Sequence, residues 1–223
     1  RVNFLDQGMK SSDFTNRTDS SKLQFRHDMA KAKIHGFLDH PGTTFRRYAN
    51  QNNLPARYAR SIAFYKNGET QKAVELVDKL ITTQPNNPYF HELKGQILYE
   101  AGKLKKSIAP YRKSVALAPD EPLLQIGLAT SLLSLENKSS AEEARGILKK
   151  SLRIEEDNIT AFYQMATAYA LLGDTGRAEL ATAERYYILG NIKKASMHAH
   201  RAMKYLPKNS PEWLKAQDIM ANL

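Results

Sequence analysis

A proline-containing pattern recurs at a fixed interval along this chain. The segment PNNPYF spans residues 85–90 and PDEPLL spans residues 119–124, so that Pro85 and Pro119 lie 34 residues apart. A repeat of this length indicates helix-turn-helix units, each of which buries its apolar side against the next unit. Four further pairs keep the same offset: Gly68 with Gly102, Ala73 with Ser107, Pro88 with Pro122, and Ser61 with Gly95.

This offset predicts two complete units. Gly68 and Gly102 permit the positive φ that is common where the first helix of a pair ends. The prolines end one unit and begin the next. Gly95, Ala73 and Ser107 are small, as expected where paired helices approach most closely. The predicted helices are 55–66 and 70–82 in the first unit, which spans 54–87, and about 89–101 and 104–117 in the second, which spans 88–121.

The repeat becomes less regular after residue 121. The third unit, 122–158, has a longer turn without glycine, and Ser140 with Glu143 predicts a capping box for its second helix. A fourth unit spans 159–190, and a unit at 176–209 overlaps it because one helix serves both. The last segment, 210–223, is a predicted capping helix whose apolar face carries Trp213, Ala216, Met220 and Leu223.

The first 53 residues have a different character. Residues 1–20 are polar and lack a helical period, so we interpret them as a linker. Residues 21–53 form a predicted basic lead-in segment, in which Ser21 and Gln24 suggest a capping box. The predicted apolar face of its helix consists of Ala30, Ile34, Phe37 and Leu38.

Composition limits the chemistry of the chain. Cysteine is absent, which excludes disulfides and thiol chemistry and suits both cytoplasm and periplasm. No apolar run approaches the roughly 18 residues of a transmembrane helix. The net charge of +10 is spread along the sequence, which disfavours nucleic acid as a partner. Because the chain begins with Arg1 rather than methionine, we expect it to be part of a longer protein.

The sequence contains no motif that predicts an enzyme. The string His91-Glu92-Leu93-Lys94-Gly95 approaches the zinc-protease pattern, but Gly95 replaces the second histidine that would bind the metal. A phosphate-binding loop and a Gly-x-Ser-x-Gly nucleophile elbow are also absent. We therefore expect no catalytic, cofactor-binding or metal-binding residue in this chain.

The 34-residue interval and its glycine and proline positions resemble the tetratricopeptide repeat (TPR) family. The predicted fold is an all-α TPR superhelix (α-solenoid) of about four to five units, with an N-terminal lead-in helix and a C-terminal capping helix. In TPR proteins the first helices of the units line the concave face. The resemblance therefore implies a partner-binding groove lined by Tyr58, Tyr65, Tyr89, Glu92, Gln96, Tyr99, Tyr163 and Tyr187.

Tyrosine suits peptide recognition, because it offers a large contact area and a hydroxyl at low entropic cost. The alternative is that half or more of these rings pack between neighbouring repeats. The lysine/asparagine/arginine clamp with which some TPR domains hold a C-terminal carboxylate is not matched, since Tyr58 and Ile62 stand where its first lysine and asparagine are expected. This disfavours the binding of chaperone tails.

A narrower resemblance comes from the runs ARYARSIAFYKNG at 56–68 and NPYFHELKGQILYEAGKLKKSIAPYRKSVALAPDEPLL at 87–124. These runs, with RVNFL at 1–5 and AKAKIHGFL at 30–38, resemble the C-terminal region of bacterial periplasmic zinc metalloproteases of the beta-barrel-assembly-enhancing (BepA-like) type. The resemblance implies a secreted parent whose upstream domain holds zinc. It carries over no catalytic residue onto this chain.

Together these features predict a non-catalytic protein-interaction scaffold. The narrower resemblance implies the substrate- or partner-binding TPR domain of a periplasmic protease in outer-membrane protein quality control. Its implied partners are proteins or peptides, including its own upstream protease domain and outer-membrane assembly components. The alternative is a stand-alone TPR adaptor, periplasmic or cytoplasmic, without a protease domain.

Overall fold

The structure is a computed structural model, and it describes residues 21–221. The predicted linker 1–20 and the predicted capping residue Leu223 lie outside the described residues. All regular secondary structure in the described part of the chain is α-helical, as the repeat predicts. The described part of the chain divides into two compact units, the first ending at Leu80 and the second beginning at Ile81.

The helices follow one another with short turns. The first four are α1 (Ser21–Leu38), α2 (Pro41–Arg47), α3 (Leu54–Lys66) and α4 (Thr70–Thr83). The next four are α5 (Pro88–Glu100), α6 (Leu104–Leu117), α7 (Pro122–Leu133) and α8 (Lys138–Ile154). The last four are α9 (Ile159–Leu172), α10 (Thr175–Ile188), α11 (Ile192–Tyr205) and α12 (Pro211–Ala221). For α3 to α6, each predicted helix boundary lies within one residue of the observed one.

In the first unit, the lead-in helix α1 packs against α3. Gly36 makes this approach close, because a Cβ atom added there would lie 2.8 Å from Cδ1 of Ile62. Ala32, one turn before Gly36, is fully buried. The predicted apolar face of α1 is therefore wrong, since small side chains and not large ones meet α3. Three of its four residues are exposed, namely Ala30, Ile34 and Leu38.

Polar contacts also hold the end of α1 and the turn after it to α3. The Nζ atom of Lys66, at the end of α3, donates to the backbone oxygens of Phe37 and Asp39, each at 2.6 Å. These contacts hold the end of α3 against the end of α1. Near the start of α1, the Nε2 atom of Gln24 donates to Oδ1 of Asp28 at 2.9 Å. The Ser21–Gln24 capping box stays a prediction, because the described residues begin at Ser21.

In the second unit, helices pack in consecutive pairs: α5 with α6, α7 with α8, α9 with α10, and α11 with α12. The first helices of neighbouring pairs also touch, since α7 packs beside both α5 and α9. Helix α10 packs against α9, α11 and α12. Because α10 packs against helices before and after it in the sequence, these contacts do not assign it to one repeat. The division into repeats around 175–190 therefore stays an interpretation.

One contact recurs with the repeat. The Nε2 atom of His91 lies 2.8 Å from the backbone oxygen of Pro85, so this nitrogen carries the proton and donates. Thirty-four residues later, Nε2 of Gln125 donates to the backbone oxygen of Pro119. In both 34-residue repeats, a polar side chain of the first helix donates to the carbonyl of the proline that ends the preceding repeat.

Turns and caps explain where the helices begin and end. Gly68 and Gly102 have φ of 80° and 72°, as the sequence predicts, whereas the turn before α8 places Glu136 at φ 51°. The predicted Ser140–Glu143 capping box is wrong, because Asn137 caps α8 and its side chain accepts a hydrogen bond from the Ser140 backbone N–H. Asparagine or aspartate caps five other helices in the same way: Asn53, Asn87, Asn158, Asp174 and Asn191.

The C-terminal helix α12 begins as predicted. The hydroxyl oxygen of Ser210 accepts a hydrogen bond from the backbone N–H of Trp213 at 3.2 Å. Ala216 and Ile219 are buried against α10 and α11, in one apolar cluster with Leu180. Trp213 and Met220 pack against this cluster as partly buried residues.

Candidate protein-binding face

The eight residues of the predicted groove differ in exposure. Tyr58 is buried, with 2% of its surface exposed. Four others are half-buried: Tyr65, Glu92, Gln96 and Tyr99. Three are exposed, namely Tyr89 (41%), Tyr163 (54%) and Tyr187 (40%).

Tyr58 belongs to the interior and does not line an exposed surface. It is among the largest fully buried side chains, together with Ile62 one helical turn further along α3. A ring in this position contributes to folding through buried apolar area. The groove prediction for Tyr58 is therefore wrong. Tyr65 lies on the same helix in the first unit, whereas the face described below is confined to the second unit.

Four of the predicted residues share one side of α5. Tyr89, Glu92, Gln96 and Tyr99 are spaced by three, four and three residues, which places them along one helical face. Nε2 of Gln96 donates to Oε1 of Glu100 at 2.9 Å. Tyr99 packs partly against the apolar cluster that contains Tyr111. Tyr89 thus has the most exposed of the four side chains.

Equivalent positions on the neighbouring first helices continue this pattern. Leu123 on α7 follows Tyr89 by 34 residues and is 61% exposed. Thr130, which follows Gln96 by the same interval, and Thr167 on α9 are half-buried. Each threonine hydroxyl donates to the carbonyl four residues earlier, at 2.9 and 3.2 Å. Their oxygens therefore still have acceptor capacity.

We define the first-helix face by these side chains on three helices that pack in a row within the second unit. Its members are Tyr89, Glu92 and Gln96 of α5, Leu123 and Thr130 of α7, and Tyr163 and Thr167 of α9. Sequence reasoning missed Leu123, although its 34-residue offset from Tyr89 points to it.

The positively charged side chain of Arg185 lies beside Tyr163, at the α9 end of this face. The guanidinium carbon of Arg185 lies 5.3 Å from the ring centre of Tyr163 and 5.4 Å from that of Tyr186. Nζ of Lys194 lies 5.1 Å from the Tyr186 ring. His198 stacks on the same ring at 5.5 Å. We call Tyr163, Arg185, Tyr186 and Lys194 the arginine cluster. Sequence analysis did not find it, because the contacts join three helices.

Tyr187 is adjacent to this cluster in sequence but is not one of its members. It lies near the end of α10, the helix that packs with α9, α11 and α12. Tyr187 is exposed, and its role in binding a partner stays a prediction.

Residues 21–221 contain neither a metal-binding cluster nor a membrane-spanning helix. Within residues 21–221, no group of three or more histidine, cysteine, aspartate or glutamate side chains could hold a metal ion. His91, from the string that approaches a zinc motif, is buried and binds the Pro85 carbonyl instead. None of the described helices is both long enough and apolar enough to span a bilayer.

Comparison with known proteins agrees with this architecture. Residues 58–122 match the tetratricopeptide repeat family. A TPR repeat-containing protein of Methanocaldococcus jannaschii is 27% identical over 174 residues, which cover 74% of this chain and 27% of that protein. The chain thus spans about a quarter of the length of this relative.

Solved structures share the fold. YrrB, a TPR protein with an unusual peptide-binding site, superimposes with a TM-score of 0.59 at 14% identity, over 87% of this chain and 96% of YrrB. MamA from Desulfovibrio magneticus RS-1, from residue 41 to its end, gives 0.56 at 14% identity, over 80% and 92%. At these identities the likeness shows the fold alone.

Proposed function

We propose that the first-helix face of this chain binds a peptide segment of a protein partner. The premise is that residues 58–122 match the tetratricopeptide repeat family and that the chain has the fold of TPR proteins. TPR domains bind protein or peptide partners. The observation that carries the proposal is the placement of large exposed side chains, Tyr89, Leu123 and Tyr163, on three adjacent first helices. Exposed apolar and aromatic side chains grouped on neighbouring helices are typical of interaction sites.

The charge of the chain favours an acidic partner. The chain carries a formal net charge of +10, and residues 159–223 contain eight lysines and arginines against five aspartates and glutamates. Such a balance attracts acidic segments over long range and loses this attraction at high salt. The occupant we propose is therefore a segment that combines apolar side chains with acidic ones.

The proposal can be tested with a displayed library of random 12-residue peptides selected on purified 1–223. Enriched peptides would then be measured by fluorescence anisotropy against Tyr89→Ala, Leu123→Ala and Tyr163→Ala. Tyr205→Ala is the matched control, because Tyr205 is 66% exposed on α11, outside the face. We expect each face variant to bind about 10-fold more weakly, since truncating a large side chain that anchors a peptide costs about 1–2 kcal/mol. Absence of enriched peptides, or equal losses with Tyr205→Ala, would contradict the proposal.

We further propose that the chain is the TPR region of a periplasmic zinc metalloprotease of the BepA-like type. The support is the resemblance at 56–68 and 87–124. The resemblance implies that the zinc would belong to an upstream domain. Partners would then include that domain and outer-membrane assembly proteins.

The alternative is a stand-alone TPR adaptor, in either the periplasm or the cytoplasm. Reading the coding sequence upstream of Arg1 separates the two. A signal peptide and a His-Glu-x-x-His motif upstream would support the protease, whereas a start codon directly before Arg1 would rule it out.

A further inference from the structure

We propose that the arginine cluster is a subsite for a carboxylate of the bound peptide. This inference rests on the proposed function, because the peptide on the first-helix face must deliver the carboxylate. It also adds a chemical requirement that the face alone does not have. The subsite is centred on Arg185 of α10, and Tyr163 belongs both to it and to the face.

Among the described residues, Arg185 is half-buried and unpaired, whereas four of the other five arginines of the second unit are paired and the fifth, Arg153, is exposed. Four arginines of the second unit lie within 4.0 Å of a carboxylate oxygen: Arg112, Arg145, Arg177 and Arg201. Arg185 makes no such ion pair with the described residues, although it is half-buried. Its Nε atom is buried and has no hydrogen-bond partner among them. Leaving a buried charged donor without an acceptor is costly, so an acceptor that reaches the guanidinium of Arg185 would relieve this cost.

The neighbouring carboxylates are engaged elsewhere. Glu184, beside Arg185 in sequence, forms an ion pair with Lys215 of α12. Glu179 on the same helix contacts Nδ1 of His198 at 2.6 Å and Arg201 at 4.0 Å. The acidic side chains of α10 are therefore held by α11 and α12, and Arg185 is left with aromatic contacts.

The rings define what the cluster would bind. Aromatic rings hold a guanidinium through its flat faces by cation–π attraction and leave its N–H edge for a planar acceptor. A carboxylate matches that edge with two parallel hydrogen bonds. Lys194, which forms no ion pair with the described residues, adds a second positive charge next to Tyr186. Both features favour a carboxylate over a neutral amide.

The test uses three fluorescein-labelled 12-residue peptides and the full chain 1–223. The first alternates phenylalanine and glutamate and has an amidated C-terminus. The second replaces every glutamate by glutamine. The third is the glutamine peptide with a free C-terminal carboxylate. The first and third distinguish a side-chain carboxylate from a terminal one. The second carries the same label but no carboxylate in the peptide itself, and it measures binding to the first-helix face alone.

We expect one of the two carboxylate peptides to bind about 10-fold to 100-fold more tightly than the glutamine peptide, as expected for charge-assisted hydrogen bonds. Arg185→Gln should remove this difference. Arg185→Lys should remove most of it, because lysine lacks the two-pronged edge. Arg153→Gln is the matched control, since Arg153 is exposed on α8, forms no ion pair with the described residues, and gives the same change in charge.

A second measurement observes Arg185 directly. The Nε–H resonance of Arg185, assigned by its loss in Arg185→Lys, should shift with the preferred carboxylate peptide and stay in place with the glutamine peptide. Melting temperatures of all variants verify that the fold is kept.

The outcomes separate the two proposals. If all three peptides bind equally and Arg185→Gln changes nothing, the carboxylate subsite is wrong and the face remains. The subsite is also wrong if Arg185→Gln weakens all three peptides equally, because the side chain then acts by packing, or if Arg153→Gln has the same effect. If no peptide binds at all, both proposals are overturned.

Discussion

The ring of Tyr111 on α6 occupies the space that a side chain at Gly95 on α5 would need. A Cβ atom added at Gly95 would lie 2.7 Å from Cδ2 of Tyr111, and one added at Gly127 on α7 would lie 2.8 Å from its Cε1. One ring thus fills the space between three helices of two successive pairs. Its burial raises the pKa of the Tyr111 hydroxyl, and the nearby carboxylate of Glu92 raises it further.

This contact predicts that Gly95→Ala destabilises the protein. Overpacking a tight helix contact should lower the free energy of unfolding by about 1–3 kcal/mol, measured by urea denaturation. The matched control is Gly146→Ala on α8, because no atom lies within 4 Å of a Cβ added there. That change should raise the free energy of unfolding by up to about 1 kcal/mol, since alanine favours a helix over glycine.

A double variant tests the mechanism. Replacing Tyr111 by leucine in the Gly95→Ala background removes the clashing ring, so part of the loss caused by Gly95→Ala should disappear. Strict additivity of the two changes would show that the two residues do not interact in the way the geometry indicates.

The contrast between Gly95 and the lead-in helix shows what the sequence could reveal. The 34-residue offset identified Gly95 as a close contact and located α3 to α6, because each repeat presents the same turn and the same crossing. The lead-in helix has no second copy, and both of its sides carry apolar residues. The spacing of apolar residues in α1 therefore does not predict that Ala32 and Gly36, rather than Ile34 and Leu38, contact α3.

The candidate site was predictable to a smaller extent. Helical spacing placed Tyr89 and Gln96 on one side of α5, but it could not tell exposed rings from buried ones, as Tyr58 shows. The arginine cluster was beyond sequence reasoning, because Tyr163 and Arg185 meet only when α9 and α10 pack. Local patterns predict turns and helices, whereas contacts between distant residues depend on the packed structure.

The turn before α8 predicts a stabilising substitution. Glu136 has φ 51°, a conformation that glycine adopts without strain and that costs other residues roughly 1 kcal/mol. Glycines fill the corresponding turns at Gly68, Gly102 and Gly173. Glu136→Gly should therefore raise the free energy of unfolding by up to about 1 kcal/mol.

The reverse change supplies the control. Gly102→Ala introduces the same strain into the turn between α5 and α6. Nothing lies within 4 Å of the added Cβ atom, so the effect comes from backbone strain and not from a steric clash. It should lower the free energy of unfolding by about 1 kcal/mol. If Glu136→Gly were destabilising, the left-handed turn would not be under strain.

Two tyrosines at different depths predict opposite phenotypes. Tyr58→Ala should lower the free energy of unfolding by about 3–5 kcal/mol, as expected for an aromatic side chain removed from a core. Tyr89→Ala should lower it by less than about 1 kcal/mol, because Tyr89 is 41% exposed whereas Tyr58 is 2% exposed. Urea denaturation of both variants, with peptide binding of Tyr89→Ala, checks this pair. Equal stability losses would assign Tyr89 to the interior as well.

The last prediction concerns pH and Glu184, which is largely buried on α10. Burial raises the pKa of its carboxyl above the ordinary value of 4.5, and the hydrogen bond and charge of Lys215 only partly oppose this. A raised folded-state pKa means that the folded protein holds the proton more tightly. The associated stability is therefore present below pH 4.5 and is lost as the pH rises through the folded-state value.

Glutamine does not titrate, so Glu184→Gln should escape this loss. Relative to the unsubstituted protein, the variant should gain free energy of unfolding between pH 4 and pH 7, measured by urea denaturation at each pH. Glu142→Gln controls for the loss of one carboxylate, because Glu142 is exposed on α8 and pairs with Arg145. A Glu184→Gln variant that loses stability relative to this control as the pH rises would mean that the Lys215 ion pair outweighs the burial of Glu184.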